Sequence, residues 1–178
     1  MIRPKCLRAK IVLDIDKSSG GFQISSAAML EILSDGRTIS RFTEEWICVT
    51  FGYQRPGGDT PGFDLVQEST GCRFSVKSLT HRGTAVRFSR NTGVGRHCTP
   101  EDVLRAISGP EAFIFADNTN LPMVTFIQIP QKVLLDWFRK GVISQNNGHI
   151  SYANFCGAVN CLPIQDVKNA HDVEKVQG

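Results

Sequence analysis

The sequence predicts an α/β fold, a mixed central β-sheet flanked by helices, within a single domain spanning residues 1–178. Three observations carry that expectation. Helical and strand periodicities alternate along the chain, in the order helix, strand hairpin, helix, strand pair, helix. A length of 178 residues is enough for one domain with a substantial core and short for two. Apolar residues make up 41% and charged residues 21%, ordinary globular values, and no repeat or low-complexity tract interrupts them.

The elements follow in order. KIVLDID reads as a strand, followed by SSGG as a turn. Ser25 or Ser26 caps a short helix, AAMLEIL, that stops at Asp35-Gly36. SRFTEEWICVTFG is a second helix, with Phe42, Trp46 and Val49, and less regularly Ile47 and Phe51, as its apolar face and Gly52 as its stop. The proline- and glycine-rich loop QRPGGDTPG leads to two strands, FDLVQE and CRFSVKSLT. HRGTAVRFSRNTGVGRH is polar and glycine-rich, with a strand expected at Thr84 to Ser89. TPEDVLRAI carries Thr99 as N-cap, Pro100 at the first helical position and Asp102 closing the cap. AFIFAD and MVTFIQIP are strands joined by a turn at DNTNLP. KVLLDWFRKG is a helix with Leu134, Leu135 and Phe138 inward and Gly141 at its end. HISYANF reads as a short strand or a surface segment, and the polar tail from about 165 is expected to fray.

Composition excludes several classes. No run approaches the ~18 apolar residues of a membrane span. The apolar stretch near the N-terminus is shorter than the roughly 7–15 residues of a secretory signal, so a cytoplasmic location is expected. The six cysteines include no CxxC pair and read as reduced thiols. A zinc site from His97, Cys98, Cys156 and Cys161 matches no recurrent zinc spacing. There is no P-loop, dinucleotide glycine fingerprint or Ser/His/Asp arrangement. Trp46 and Trp137 sit on apolar helical faces and read as core.

Charge distribution says more than net charge. From Ser69 to Pro100 there is no acidic residue, while Arg73, Lys77, Arg82, Arg87, Arg90 and Arg96 all fall within that window. Such a bias favours a polyanionic partner over a merely solvated face. Arginine reads guanine bidentately and asparagine reads adenine, which makes Arg82, Arg87, Arg90, Asn91, Arg96 and His97 the candidate DNA contacts.

Inside the same region lies a hairpin, GFDLVQESTGCRFSVKSLT. With its turn centred on Ser69 to Cys72, antiparallel partners have position numbers that sum to about 141. Asp64 is then opposite Lys77, and Val66 opposite Ser75. Asp64, Ser75 and Lys77 share one sheet face, and Phe74 and Val76 fill the other. The bland reading is an exposed cross-strand ion pair that pins the hairpin and contributes little.

This stretch resembles the core of the restriction-endonuclease-like nucleases, the PD-(D/E)XK superfamily, over roughly Arg41 to Ser89. Asp64 matches the metal-binding aspartate that begins one strand, and Ser75-Val76-Lys77 matches the (D/E)XK element of the next. Glu44, eight residues before Gly52, matches the glutamate contributed by a preceding helix that ends in glycine, with Glu45 as its substitute. The resemblance implies a restriction-endonuclease-like core and a Mg²⁺-dependent, sequence-specific double-stranded DNA endonuclease of the type II restriction class. It implies one or two Mg²⁺ ions held by Asp64, the Val76 carbonyl and a further carboxylate, with Lys77 acting on the attacking water or the phosphoryl charge. A homodimer would match a palindromic site. Ser75 departs from the pattern, because a hydroxyl is no charged metal ligand. Glu44 and Glu101 are candidates for the missing acid. Glu68 is about four residues, or ~13 Å, along the strand from Asp64 and too distant. Asp59 is a weaker alternative to Asp64. The alternative to an enzyme is a non-catalytic DNA-binding module on the same fold.

Overall fold

The computed structural model describes residues 4–57, 62–79, 86–88 and 99–177. The elements run β1 (Leu7–Val12), α1 (Ile15–Phe22), α2 (Ser26–Leu33), α3 (Gly36–Phe51), β2 (Leu65–Gln67), β3 (Cys72–Leu79), β4 (Val86–Arg87), α4 (Pro100–Ile107), β5 (Ala112–Asn120), β6 (Met123–Pro130), α5 (Gln131–Arg139), β7 (His149–Ile150), α6 (Tyr152–Asn160), β8 (Gln165–Asp166) and α7 (Ala170–Gln177). Six strands form one mixed sheet in the order β2-β3-β5-β6-β1-β8, and β4 with β7 makes a separate two-stranded ribbon. The expected class, a mixed α/β sheet flanked by helices, is what the chain adopts.

Two cores lie on the two faces of this sheet. Phe74, Ile114 and Phe126 point toward α3 and α7, where Ile47, Phe51 and Val173 close over them. Leu79, Phe113, Phe115 and Ile129 point the other way, against α4, α5 and α6 through Val103, Trp137 and Phe155. β5 is buried on both faces, which is why AFIFAD reads as a continuous apolar run instead of an alternation. β3 and β5 are parallel, joined by a crossover that contains α4, whereas β2 and β3 form the antiparallel hairpin.

The helix α3 turns a different face inward than the periodicity suggests. Phe42 is 43% exposed and Val49 82%, whereas Ile39, Thr43, Ile47 and Phe51 are buried. The helix begins four residues earlier than the expected start at Ser40, so Ile39 joins the inward row at i, i+4, i+8 and i+12. Of that row, Ile47 and Phe51 pack on the sheet and Ile39 packs against Ile15, Met29 and Leu33 of α1 and α2, while Trp46 is left half-buried against both clusters.

Other expectations give way too. SSGG is not a turn but the middle of α1, whose N-terminus is capped by the Asp14 carboxylate accepting from the Lys17 N–H at 3.0 Å. The tail does not fray over 165–177. The Gln165 N–H donates to the Cys6 carbonyl and the Val167 N–H to that of Arg8, and Val173 is fully buried. HISYANF divides into β7 and the start of α6, capped by Ser151. No helix among the described residues is long and apolar enough to cross a membrane.

The ribbon of β4 and β7 ties residues 86–88, the described part of the basic segment after β3, to the core. Gly148 has φ +66°, and a Cβ there would lie 2.4 Å from the Phe88 carbonyl oxygen. Gly148→Ala should therefore destabilise the fold by about 1–3 kcal/mol or more. A lowered urea midpoint checks this, and an unchanged midpoint would show that the ribbon yields without cost.

Candidate active site

The site starts from a shortage of hydrogen-bond acceptors. Along one edge β3 pairs with β5 from Phe74 to Leu79. Along the other it meets only Leu65, Val66 and Gln67 of β2, plus the Asp64 N–H donating to the Phe74 carbonyl at 2.8 Å. The Val76 N–H lies beyond that short strand. The Asp64 carboxylate takes the vacant acceptor role: its Oδ2 accepts from the Val76 N–H at 2.7 Å and from the Ser75 hydroxyl at 2.9 Å. Neither donor uses Oδ1. In a strand the N–H and C=O of one residue project toward the same edge, so the Val76 carbonyl faces the side from which Asp64 approaches.

The hairpin register differs from the expected one by two. Leu65 is opposite Phe74 and Gln67 opposite Cys72, which puts Asp64 beside Ser75 rather than Lys77. The reason is turn chemistry. Gly71 takes φ +69° and its N–H donates to the Gln67 carbonyl at 2.8 Å, so the loop is Glu68 to Gly71, one residue earlier than read. A slip of two preserves the face. Asp64, Ser75 and Lys77 remain on one side of the sheet, with Lys77 diagonal to Asp64.

Lys77 is half-buried and shares its face with Leu79, Phe113 and Phe115. Burial pushes its ammonium below the ordinary lysine value, and the Asp64 carboxylate opposes that shift. Among the described residues the two form no direct ion pair, so the hairpin is not pinned in that way. Glu101 is not among the groups that act on Lys77; it is exposed in the first turn of α4, beside the Thr99–Asp102 capping box.

Glu44 arrives from α3, on the opposite face of the sheet. Burial raises its carboxyl above the ordinary value, the Arg55 guanidinium lowers it, and the Asp64 carboxylate raises it again. Asp64 is thus near enough for its charge to act on Glu44. Arg55 is the residue that sequence reading missed. Its Nη2 lies 3.1 Å from Glu44 Oε2 and its Nη1 2.8 Å from Glu45 Oε1. The chain delivers it there in steps. Gly52, at φ +71°, ends α3; buried Tyr53 then stacks on Phe74 at 4.2 Å and donates its hydroxyl to Gln128 Oε1 at 2.6 Å. Gln54 next exchanges two backbone hydrogen bonds with Val66, each 2.8 Å. Two consecutive glutamates, a helix-ending glycine and an arginine three residues on were the available signal.

The remaining candidates fall elsewhere. Glu68 accepts from Gln54 at the turn. Arg87, in β4, is opposite His149 and donates through Nε to the Asn147 carbonyl at 3.2 Å. Arg82, Arg90, Asn91, Arg96, His97, Cys98 and Asp59 lie outside the described residues. Among the described residues, no group of three or more His, Cys, Asp or Glu side chains is gathered for a metal ion. Cys6, Cys48, Cys72, Cys156 and Cys161 are free thiols. Away from this edge, Tyr152 bonds to Thr119 at 3.0 Å and donates to Asp117 Oδ2 at 2.8 Å. The Thr119 contact draws its phenol down, but burial and Asp117 outweigh that and hold it up at about 12. Its evident role is to tie α6 to the end of β5.

Scans of protein-family models, of curated proteins and of solved structures each gave no match to this chain.

The lysine makes a stability prediction. A folded-state value below the unfolded one means that the unfolded chain binds more protons, so stability rises with pH. The penalty is complete below the depressed Lys77 value and disappears above the ordinary 10.5. Lys77→Met should raise stability at neutral pH and flatten this rise, as read by urea unfolding of both proteins across that window. Parallel pH curves would mean that the ammonium is not destabilised by the fold.

Proposed function

We propose that the chain is a Mg²⁺-dependent endonuclease on a restriction-endonuclease-like core, hydrolysing phosphodiester bonds of double-stranded DNA at the β2–β3 edge. The observation that carries this reading is the Asp64 carboxylate fixed by Ser75 and Val76, with Lys77 on the same face and Glu44 close enough to feel its charge. The donor set suits a hard cation, which commonly uses one or two carboxylates and keeps several waters. Asp64, Glu44 and the Val76 carbonyl would hold it. When bound, Mg²⁺ would lower the pKa of a water and neutralise charge on the phosphoryl and leaving oxygens.

The chain's own groups have separable roles. Asp64 is held in one orientation before any ligand arrives, which lowers the ordering cost at the reacting centre. Lys77, with its ammonium disfavoured by burial, is suited to take the proton of the attacking water, or to donate to a phosphoryl oxygen when protonated. Ser75 acts on Asp64 by donating to it and need not bind metal. Glu44, not Glu101, supplies the second acid. The acid-free basic segment after β3 supplies the DNA surface, and a homodimer presents two sites to a palindrome of the restriction type.

Asp64→Asn and Lys77→Ala should each abolish Mg²⁺-dependent cleavage of plasmid DNA, while duplex binding in Ca²⁺ persists. Ser75→Ala should keep much of the activity, Glu44→Gln should lose it, and Glu101→Gln should match the parent. A parent protein that binds DNA but cuts no varied substrate with Mg²⁺ or Mn²⁺ would mark the non-catalytic DNA-binding alternative.

Replacing Arg87, Arg90 and Arg96 together by alanine should lower the slope of log affinity against log salt by roughly 0.9 for each phosphate no longer neutralised. An equal slope would remove this segment from the interface.

A further inference from the structure

The nuclease reading leaves the Arg55 guanidinium on Glu44 unexplained. It contacts Glu44 Oε2 at 3.1 Å, an oxygen that a divalent cation would need, and Glu45 Oε1 at 2.8 Å. The Glu44 side chain is 19% exposed, that of Arg55 34% and that of Glu45 60%, so Glu44 is the sheltered partner of the guanidinium. A guanidinium cannot shed its proton to make way. Its backbone is also anchored, because the preceding residue is bridged to β2 on both sides of the peptide. Arg55 therefore cannot leave the edge; it can only swing through the reach of its side chain. A divalent ion at Asp64 and Glu44 competes for the same oxygen and repels the same cation. The acceptor that arrives with the substrate is a phosphate, which the guanidinium fork matches bidentately.

We propose that Arg55 is a phosphate-binding residue parked on Glu44, displaced from it by the divalent cation and transferred to a DNA backbone phosphate beside the scissile bond. This rests on the nuclease reading of the Asp64–Glu44 edge. In the metal-free protein Arg55 supplies positive charge to Glu44 and Glu45. In the loaded complex that same charge is turned to the substrate, so metal entry and DNA engagement are coupled through one side chain. Glu45 is the holding point between the two positions, since exposed ion pairs of this kind are weak and readily exchanged.

Mn²⁺ binding to the DNA-free protein, followed by electron paramagnetic resonance, tests the first half. Arg55→Ala should bind Mn²⁺ about fivefold more tightly than the parent, the gain expected from removing one competing ion pair. Arg55→Gln should behave alike and serves should the alanine variant fail to fold. Asp64→Asn should lose Mn²⁺ binding. Mn²⁺ affinity that is unchanged or weaker in both Arg55 variants, while Asp64→Asn abolishes it, overturns the displacement and leaves the metal site standing. No Mn²⁺ binding by the parent overturns both. The second half is read from duplex binding in Ca²⁺ at several salt concentrations, where Arg55→Ala should lower the salt slope by roughly 0.9, the value for a single phosphate. An equal slope overturns the transfer to phosphate.

Discussion

The hydrogen bond from the Val76 N–H to Asp64 is the interaction around which the site is built. β3 runs for eight residues and β2 for three, so one edge of the longer strand is left without a backbone partner. A buried N–H left unpaired costs about 1–3 kcal/mol. The chain meets the requirement with a side chain, and a charged acceptor makes the stronger bond. A consequence follows for chemistry. The carboxylate is held at the point where the sheet opens, with Ser75 as its second donor. Its orientation is set by the folding of the sheet.

The same arrangement explains the position of Lys77. Alternation along β3 sends Phe74 and Val76 to the α3 face and Ser75, Lys77 and Leu79 to the other. Parallel pairing with β5 surrounds the lysine with Phe113 and Phe115, an environment that disfavours its charge. A leucine there would suit the core better. Local departures of this kind, offset by the rest of the fold, are where function concentrates.

Much of this was legible in the sequence because it depends on local rules. The Thr99–Asp102 capping box, Ser25 as a cap, Gly52 and Gly141 as helix ends, and the strands of AFIFAD and MVTFIQIP need only short-range chemistry. The shared face of Asp64, Ser75 and Lys77 was legible for a deeper reason: strand period is two, so a register error of two leaves it intact. What was hidden depends on tertiary competition. The inward row of α3 was chosen by the sheet and by α1 and α2 packed against it, over a comparably apolar row that includes Phe42 and Val49. The tail orders because β1 offers Val167 an acceptor and the core admits Val173. Arg55 meets Glu44 only because Tyr53 and Gln54 redirect the chain across the sheet edge.

Serine at position 75 then has a physical rationale. A carboxylate there would stand next to Asp64 and could not donate to it, and two like charges sharing one edge raise the cost of ionising both. The hydroxyl instead stabilises the Asp64 carboxylate and leaves the second negative charge to Glu44, which approaches from the other side of the sheet. Two acids so placed are balanced by two cations, one half-buried on β3 and one carried on the loop after α3. Of these, Lys77 is confined by the sheet and its aromatic neighbours, and Arg55 has a side chain long enough to exchange partners. On the nuclease reading proposed above, an edge with one fixed and one exchangeable cation would admit a divalent ion without leaving its carboxylates uncompensated.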